Sequence, residues 1–102
     1  MAEPVKISAT VITFNEEKKI ERCLESLLAV ADEIVVVDSF STDGTFDICR
    51  RYPVVFKQRA FEGYVAQKNF AMDSAAFDHI LALDADEALS EELKKSILQV
   101  KA

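Results

Sequence analysis

The 102-residue sequence contains no tryptophan, a single histidine, and only two residues each of glycine, proline and cysteine. So little glycine and proline excludes collagen-like and low-complexity chains and leaves no stretch that reads as a flexible linker. The one histidine, His79, has no Cys or His neighbour at ligand spacing, which excludes a structural zinc site. Cys23 and Cys49 stand alone, the pattern of buried thiols in a reducing compartment rather than of a disulfide framework. No apolar run approaches the roughly 20 residues that span a bilayer. The opening residues, Met1 to Lys6, lack the apolar stretch of a secretion signal, so the expected location is the cytoplasm. Basic residues are outnumbered 12 to 18 by acidic ones, a net charge of −6. That balance argues against a nucleic-acid partner, whose phosphates call for a basic face. A single nucleotide remains compatible, because a metal held on carboxylates can neutralise its phosphates.

What is present suits one globular domain: half the residues are apolar and 29% are charged. Residues 7–13 form a β-rich run. Asn15 then stands as a helix cap with Glu16 and Glu17 in the favourable first turn, and Ile20, Cys23, Leu24, Leu27 and Leu28 follow at helical spacing. Residues 33–38 are nearly continuous and β-branched, as in a strand covered on both faces. Polar turn residues 39–44 lead into a helix over about 43–51, which Pro53 stops. Residues 54–57 predict a third strand. Residues 61–76 predict a helix that buries Val65, Ala66, Phe70, Ala71 and Ala75. Residues 79–84 predict a fourth strand, and Ser90 caps a closing helix with Leu93, Ile97 and Val100 on one side. Four strand–helix alternations imply an α/β fold with a parallel sheet and right-handed crossovers. The expected strand order is 3-2-1-4, with helices on both faces.

Ligands of such sheets bind beyond the carboxyl ends of the strands. The ends of strands one, two and four carry Thr13-Phe-Asn-Glu-Glu17, Asp38-Ser-Phe-Ser-Thr-Asp43 and Asp84-Ala-Asp-Glu87, the three most polar clusters after apolar runs. Each alone reads as turn and cap chemistry; three at equivalent ends favour a common crevice. In Asp84-x-Asp86 the two carboxylates leave an extended segment on the same side, and oxygen donors of this kind suit Mg2+ or Mn2+. The loop from Ser39 to Thr45 lacks the glycine spacing of dinucleotide and P-loop cradles. Asp38 is placed to accept hydrogen bonds from a ribose or a base, whereas Asp43 reads as a helix cap. Lys68 reads as solvated surface unless the crevice lies beside it.

Together, Val11-Ile-Thr-Phe-Asn-Glu-Glu17, Ile34-Val-Val-Val-Asp-Ser-Phe-Ser-Thr-Asp-Gly-Thr45, Gln67-Lys-Asn-Phe-Ala71 and Leu83-Asp-Ala-Asp-Glu87 resemble the successive motifs of family 2 glycosyltransferases. The nearest likeness is to bacterial β-1,4-glucosyltransferases and lipopolysaccharide-core enzymes, over about residues 6–98. The resemblance implies the three-layer, Rossmann-like GT-A fold, a nucleotide-sugar donor (usually a UDP-sugar) and a divalent cation, Mn2+ or Mg2+. It implies that Thr13, Asn15, Glu16 and Glu17 line the nucleotide pocket and that Asp38 contacts the base. Lys68 would lie near the nucleotide, Asp84 would meet the ribose or a metal-bound water, and Asp86 would ligate the metal. Many relatives have a second aspartate where this chain has Ser39, so base contact there would be a neutral hydrogen bond.

The resemblance further implies inverting transfer, expected to be of glucose, to a saccharide or lipid-linked acceptor. A carboxylate well past the Asp-x-Asp motif would act as base, in cell-envelope polysaccharide or lipopolysaccharide synthesis. The sequence ends at Ala102, before any such base, so residues 1–102 are expected to be the donor-binding part alone. Alone, that part is expected to be inactive and to self-associate through uncovered apolar surface. The full protein is expected to sit in the cytoplasm or at the inner membrane face. Two alternatives stand beside this reading. One is a non-catalytic α/β interaction domain. The other is a receiver-like signalling domain, although Lys57-Gln-Arg59 occupies the place where a receiver needs an aspartate.

Overall fold

The computed structural model describes residues 5–101. Its elements run β1 (Ile7–Thr13), α1 (Ile20–Leu27), β2 (Glu33–Asp38), α2 (Thr45–Cys49), β3 (Val55–Gln58), α3 (Tyr64–Asp73), β4 (His79–Asp84) and α4 (Glu91–Lys101). The four strands form one sheet in the order β3-β2-β1-β4, and every pairing is parallel. Both the order and the parallel pairing match the expectation from sequence. The central strand β1 is buried along its whole length.

Strand residues alternate between two apolar layers. Ala9 and Val11 of β1, with Ile34 and Val36 of β2, meet Ile20, Cys23, Leu24 and Leu27 of α1 and Cys49 of α2. Leu83 and Leu89 complete that layer, with Ile97 of α4 packed against it. On the other face, Ile12, Val35 and Val37 lie under Ala71 and Phe70 of α3. Helices therefore cover both faces of the sheet in a three-layer arrangement.

Three local expectations need correcting. α1 begins at Ile20 rather than at Asn15: residues 16–19 form a turn in which the Lys19 and Ile20 N–H groups donate to the Glu16 carbonyl, at 3.0 and 2.8 Å. Asn15 instead takes a left-handed φ of 50°, and its Oδ1 accepts the Thr42 N–H at 2.8 Å. A tertiary partner has outcompeted the local cap. In α3 the inward positions are Gln67 and Ala71, while Val65 is exposed. In α4 Ser90 caps the helix as expected, its Oγ accepting the Leu93 N–H at 3.1 Å, but Leu93 and Val100 are exposed and only Ile97 packs inward. The far end of α4 is held instead by Lys101, whose Nζ donates to the Val30 carbonyl at 2.7 Å and to Asp32 at 2.8 Å.

Candidate functional site

A cavity of about 430 Å3 opens over the carboxyl ends of β1, β2 and β4. Thr13, Phe14 and Glu16 enter it from the end of β1, Ser39 from β2, and Asp84, Ala85 and Asp86 from β4. Its remaining wall is Ile12 of β1 with Phe61, Tyr64 and Gln67, from α3 and the segment leading into it. Five of the residues expected at the site are thus brought together: Thr13, Glu16, Ser39, Asp84 and Asp86. Lys68 reaches the same place from one side, its Nζ 4.0 Å from Asp84 Oδ1.

Asn15, Glu17 and Asp38 do not line the cavity. Asn15 and Glu17 help lace the β1–α1 loop to the β2–α2 loop. The Asn15 N–H donates to Ser41 Oγ at 2.8 Å while Asn15 Oδ1 accepts from Thr42. The Glu16 N–H donates to Thr45 Oγ1 at 3.0 Å, and the Glu17 N–H to Asp43 at 3.2 Å. Glu17 returns the contact by accepting the Gly44 N–H at 2.8 Å. A Cβ on Gly44 would sit 2.8 Å from that same Glu17 oxygen, which would have to swing aside. Asp43 also accepts the Thr45 N–H and hydroxyl. Burial works against the Asp43 charge, but these Thr45 and Glu17 hydrogen bonds hold its carboxyl below the ordinary value.

Asp38 has no exposed surface. Its carboxylate accepts the Ser41 N–H at 2.8 Å, the Ser41 hydroxyl at 2.5 Å and the Gln58 amide at 3.4 Å. The pleat of β2 explains the contrast with Ser39. Val35 and Val37 face α3, so the next odd position, Ser39, faces α3 and the cavity, while Asp38 turns away.

Four buried polar atoms on the cavity wall have no hydrogen-bond partner: Thr13 Oγ1, Glu16 Oε2, Gln67 Oε1 and Asp84 Oδ1. A buried polar group left unpaired costs ~1–3 kcal/mol. All four belong to residues that line the cavity, but each of these atoms is itself closed off from it. The carboxylate residues Glu16, Asp84 and Asp86 on the same wall favour a ligand, or a cation it brings, that is rich in donors or positive charge. Aromatic rings stand at the mouth: Phe61 and Tyr64 pack edge to face at 5.0 Å between centroids, and Phe14 is exposed beside the cavity. Sequence reasoning missed Phe14, Phe61, Tyr64 and Gln67. The available signal was spacing, since residues 64, 67 and 71 share one helix face.

Residues 85–86 form a turn instead of the expected extended segment, closed by the Glu87 N–H on the Asp84 carbonyl at 2.9 Å. Asp84 and Asp86 nevertheless both line the cavity, and carboxylates fit a hard divalent cation that takes its other ligands from water and substrate phosphate. Among the described residues no group of three or more His, Cys, Asp or Glu forms a complete metal cage. The Glu87 carboxylate is occupied otherwise, accepting the Asp84 N–H at 2.8 Å. The thiols take no part in the cavity wall. Burial, followed by the Glu87 charge, pushes Cys23 up to about 12, and burial, followed by Asp38, pushes Cys49 up to about 11.

A parallel, doubly covered sheet with a cavity at its strand ends and two carboxylates on the β4 end defines a Rossmann-like nucleotide-binding fold of the GT-A type. Residues 8–100 match Glycosyl transferase family 2, and the chain belongs to that family. It is 36% identical over 107 residues to the lipopolysaccharide core biosynthesis glycosyltransferase LpsC of Rhizobium meliloti, covering all of this chain and 39% of LpsC. Staphylococcus aureus TarS 1–349 in complex with UDP-GlcNAc superposes with a TM-score of 0.72 at 33% identity, over 93% of this chain and 30% of that one. The mannosyltransferase PcManGT of Pyrobaculum calidifontis, in complex with GDP-Man and Mn2+, superposes at 0.78 with 26% identity, over 97% of this chain and 34% of that one. The chain spans about a third of the length of the curated relatives it matches. Among the described residues no helix is long and apolar enough to cross a membrane. Family membership disposes of the receiver-like alternative.

Proposed function

We propose that this chain is the donor-binding part of an inverting glycosyltransferase that moves glucose from a UDP-sugar to a saccharide or lipid-linked acceptor in cell-envelope polysaccharide or lipopolysaccharide synthesis. The observation that carries the reading is the cavity at the strand ends, which gathers Thr13, Glu16, Ser39, Asp84 and Asp86. The nucleotide sugars bound by the TarS and PcManGT structures, and the printed role of LpsC, support the donor class and the pathway class.

On this reading the nucleoside lies between Thr13, Glu16, Ser39 and Gln67, and the diphosphate runs toward β4. Asp86, exposed at the mouth, would hold a Mn2+ or Mg2+ ion directly, with Asp84 beside it. When bound, that ion supplies charge stabilisation for the departing diphosphate. Lys68, at 4.0 Å from Asp84, adds a positive charge on the same side. The acceptor hydroxyl oxygen attacks the anomeric carbon from the face opposite the diphosphate. The bond from that carbon to the diphosphate oxygen breaks, and its electron pair leaves with the diphosphate. The hydroxyl proton passes to a carboxylate base, which we assign, with the acceptor-binding part, to the portion of the relatives' length that this chain does not span.

Calorimetric titration with UDP-glucose and UDP, in manganese and in EDTA, tests the reading. Binding that strengthens at least tenfold with manganese is expected. No binding of any nucleoside diphosphate under either condition overturns it.

A further inference from the structure

The turn that carries Asp86 is held from behind by α1. The Glu87 N–H closes it on the Asp84 carbonyl at 2.9 Å, which leaves Ala85 and Asp86 as its two central residues. The peptide unit between Asp84 and Ala85 is fastened at both ends, since the Ala85 N–H also donates to the Ile12 carbonyl at 3.1 Å. The unit between Asp86 and Glu87 is fastened at both ends only through Arg22. Its N–H is the turn donor, and its carbonyl accepts Arg22 Nη2 at 3.1 Å. Among the described residues the Arg22 guanidinium forms no ion pair. Its base is rigid, because Ile20, Cys23, Leu24 and Leu27 of the same helix are fully buried. One helical turn on, Ser26 Oγ accepts the Leu89 N–H at 3.0 Å, so α1 also holds the segment that leaves the turn.

We infer that Arg22 is a positioning residue for the metal site: by pinning the Asp86 carbonyl it fixes the direction in which the Asp86 side chain leaves the turn. The inference rests on the reading of Asp86 as a metal ligand and adds to it the residue that orients that ligand. Once the carbonyl is released, the peptide unit after Asp86 is restrained by the turn hydrogen bond alone. An exposed turn then samples several carboxylate directions, and an arriving cation must select one at a cost in entropy. The charge of Arg22 acts in the opposite sense, because a positive group near a cation site weakens it. A loss of cation affinity on removing Arg22 therefore reports the hydrogen bond and not the charge.

Calorimetry with UDP in manganese and in EDTA, for the wild-type protein, Arg22→Met and Arg22→Lys, gives the manganese gain as a ratio of two affinities. Electron paramagnetic resonance of free Mn2+ in the presence of UDP gives the affinity for the ion itself. Arg22→Met should cut the manganese gain about three- to tenfold and weaken Mn2+ by a similar factor. Its melting midpoint should stay within about 3 °C of wild type, since Arg22 is exposed. Arg22→Lys keeps a donor of nearly the same reach and should recover most of the gain. An undiminished gain in Arg22→Met overturns the inference. So does a loss of UDP affinity equal in manganese and EDTA, or an Arg22→Lys protein no better than Arg22→Met. If the wild-type protein itself shows no manganese gain, the metal reading of Asp86 falls and takes this inference with it.

Discussion

Asp38→Ala distinguishes a residue that holds the site from one that touches the ligand. The carboxylate is fully buried and accepts two short hydrogen bonds from Ser41 and a longer one from Gln58. Hydrogen bonds to a charged group contribute roughly 1.5–3 kcal/mol each, and rehydration of half-buried Ser41 recovers part of that. A net loss of about 3 kcal/mol is expected, a fall of roughly 12–24 °C in the melting midpoint for a domain of this size. The damage should spread, because Ser41 Oγ also receives the Asn15 N–H and Asn15 in turn receives Thr42. Asp38→Asn keeps one acceptor for the Ser41 N–H and should lose only about 1 kcal/mol. Urea unfolding of the three proteins, with UDP affinity measured under folding conditions, gives both readouts. The reasoning is refuted if Asp38→Ala stays within about 0.5 kcal/mol of wild type while nucleotide affinity drops tenfold or more.

Asp86→Ala should erase the gain in nucleotide affinity that manganese brings while leaving the melting midpoint within about 2 °C, since an exposed carboxylate contributes little to the core; a persisting manganese effect would remove Asp86 from the metal site. Asp32 and Asp43 both have lowered carboxyl pKa values, Asp32 chiefly through its hydrogen bond from Lys101 and then the Ile7 N–H. In the range below their ordinary value near 3.8 the unfolded chain binds more protons than the folded one. Their contribution is therefore complete above that value and lost as pH falls through the folded values. Thermal melts at pH 5 and pH 2.5 should show the drop, and Asp32→Asn should shrink it. Cys23 and Cys49 should resist a disulfide reagent at pH 8 in the native protein and react fully in urea, because burial disfavours both thiolates; fast native labelling would place them nearer the surface.

The sheet was legible because its signals are redundant. The β-branched run ending at Asp38, the apolar stripe from Ile20 to Leu28 and the stop at Pro53 each point to the same alternation, and the order 3-2-1-4 follows from bringing three polar strand ends together. The location of the cavity came with it. Side-chain roles at that location were less legible, because Asn, Asp and Glu serve turns and ligands alike. Asn15, Glu17 and Asp38 looked like ligand residues; Asn15 and Glu17 are held by loop N–H donors 27 positions away, a pairing no local pattern encodes, and Asp38 by Ser41 three positions on. Gln67 was hidden for the opposite reason. A buried face is sought among apolar residues, so a glutamine between Tyr64 and Ala71 on that face escaped notice. Helix starts failed where a distant partner displaced a local one, as at Asn15.

The laced loops also bear on how tightly a nucleotide can be held. Immobilising one residue's backbone costs roughly 1–2 kcal/mol in lost freedom. A protein that orders its binding loops around an arriving ligand charges that sum to its own affinity. Here residues 14–17 and 39–44 are fastened to each other by hydrogen bonds that involve no ligand. The loss falls on folding instead of on binding. Cutting a lace, at Asn15 for example, should therefore leave every ligand contact chemically intact and still weaken nucleotide binding, with the deficit appearing as a less favourable entropy.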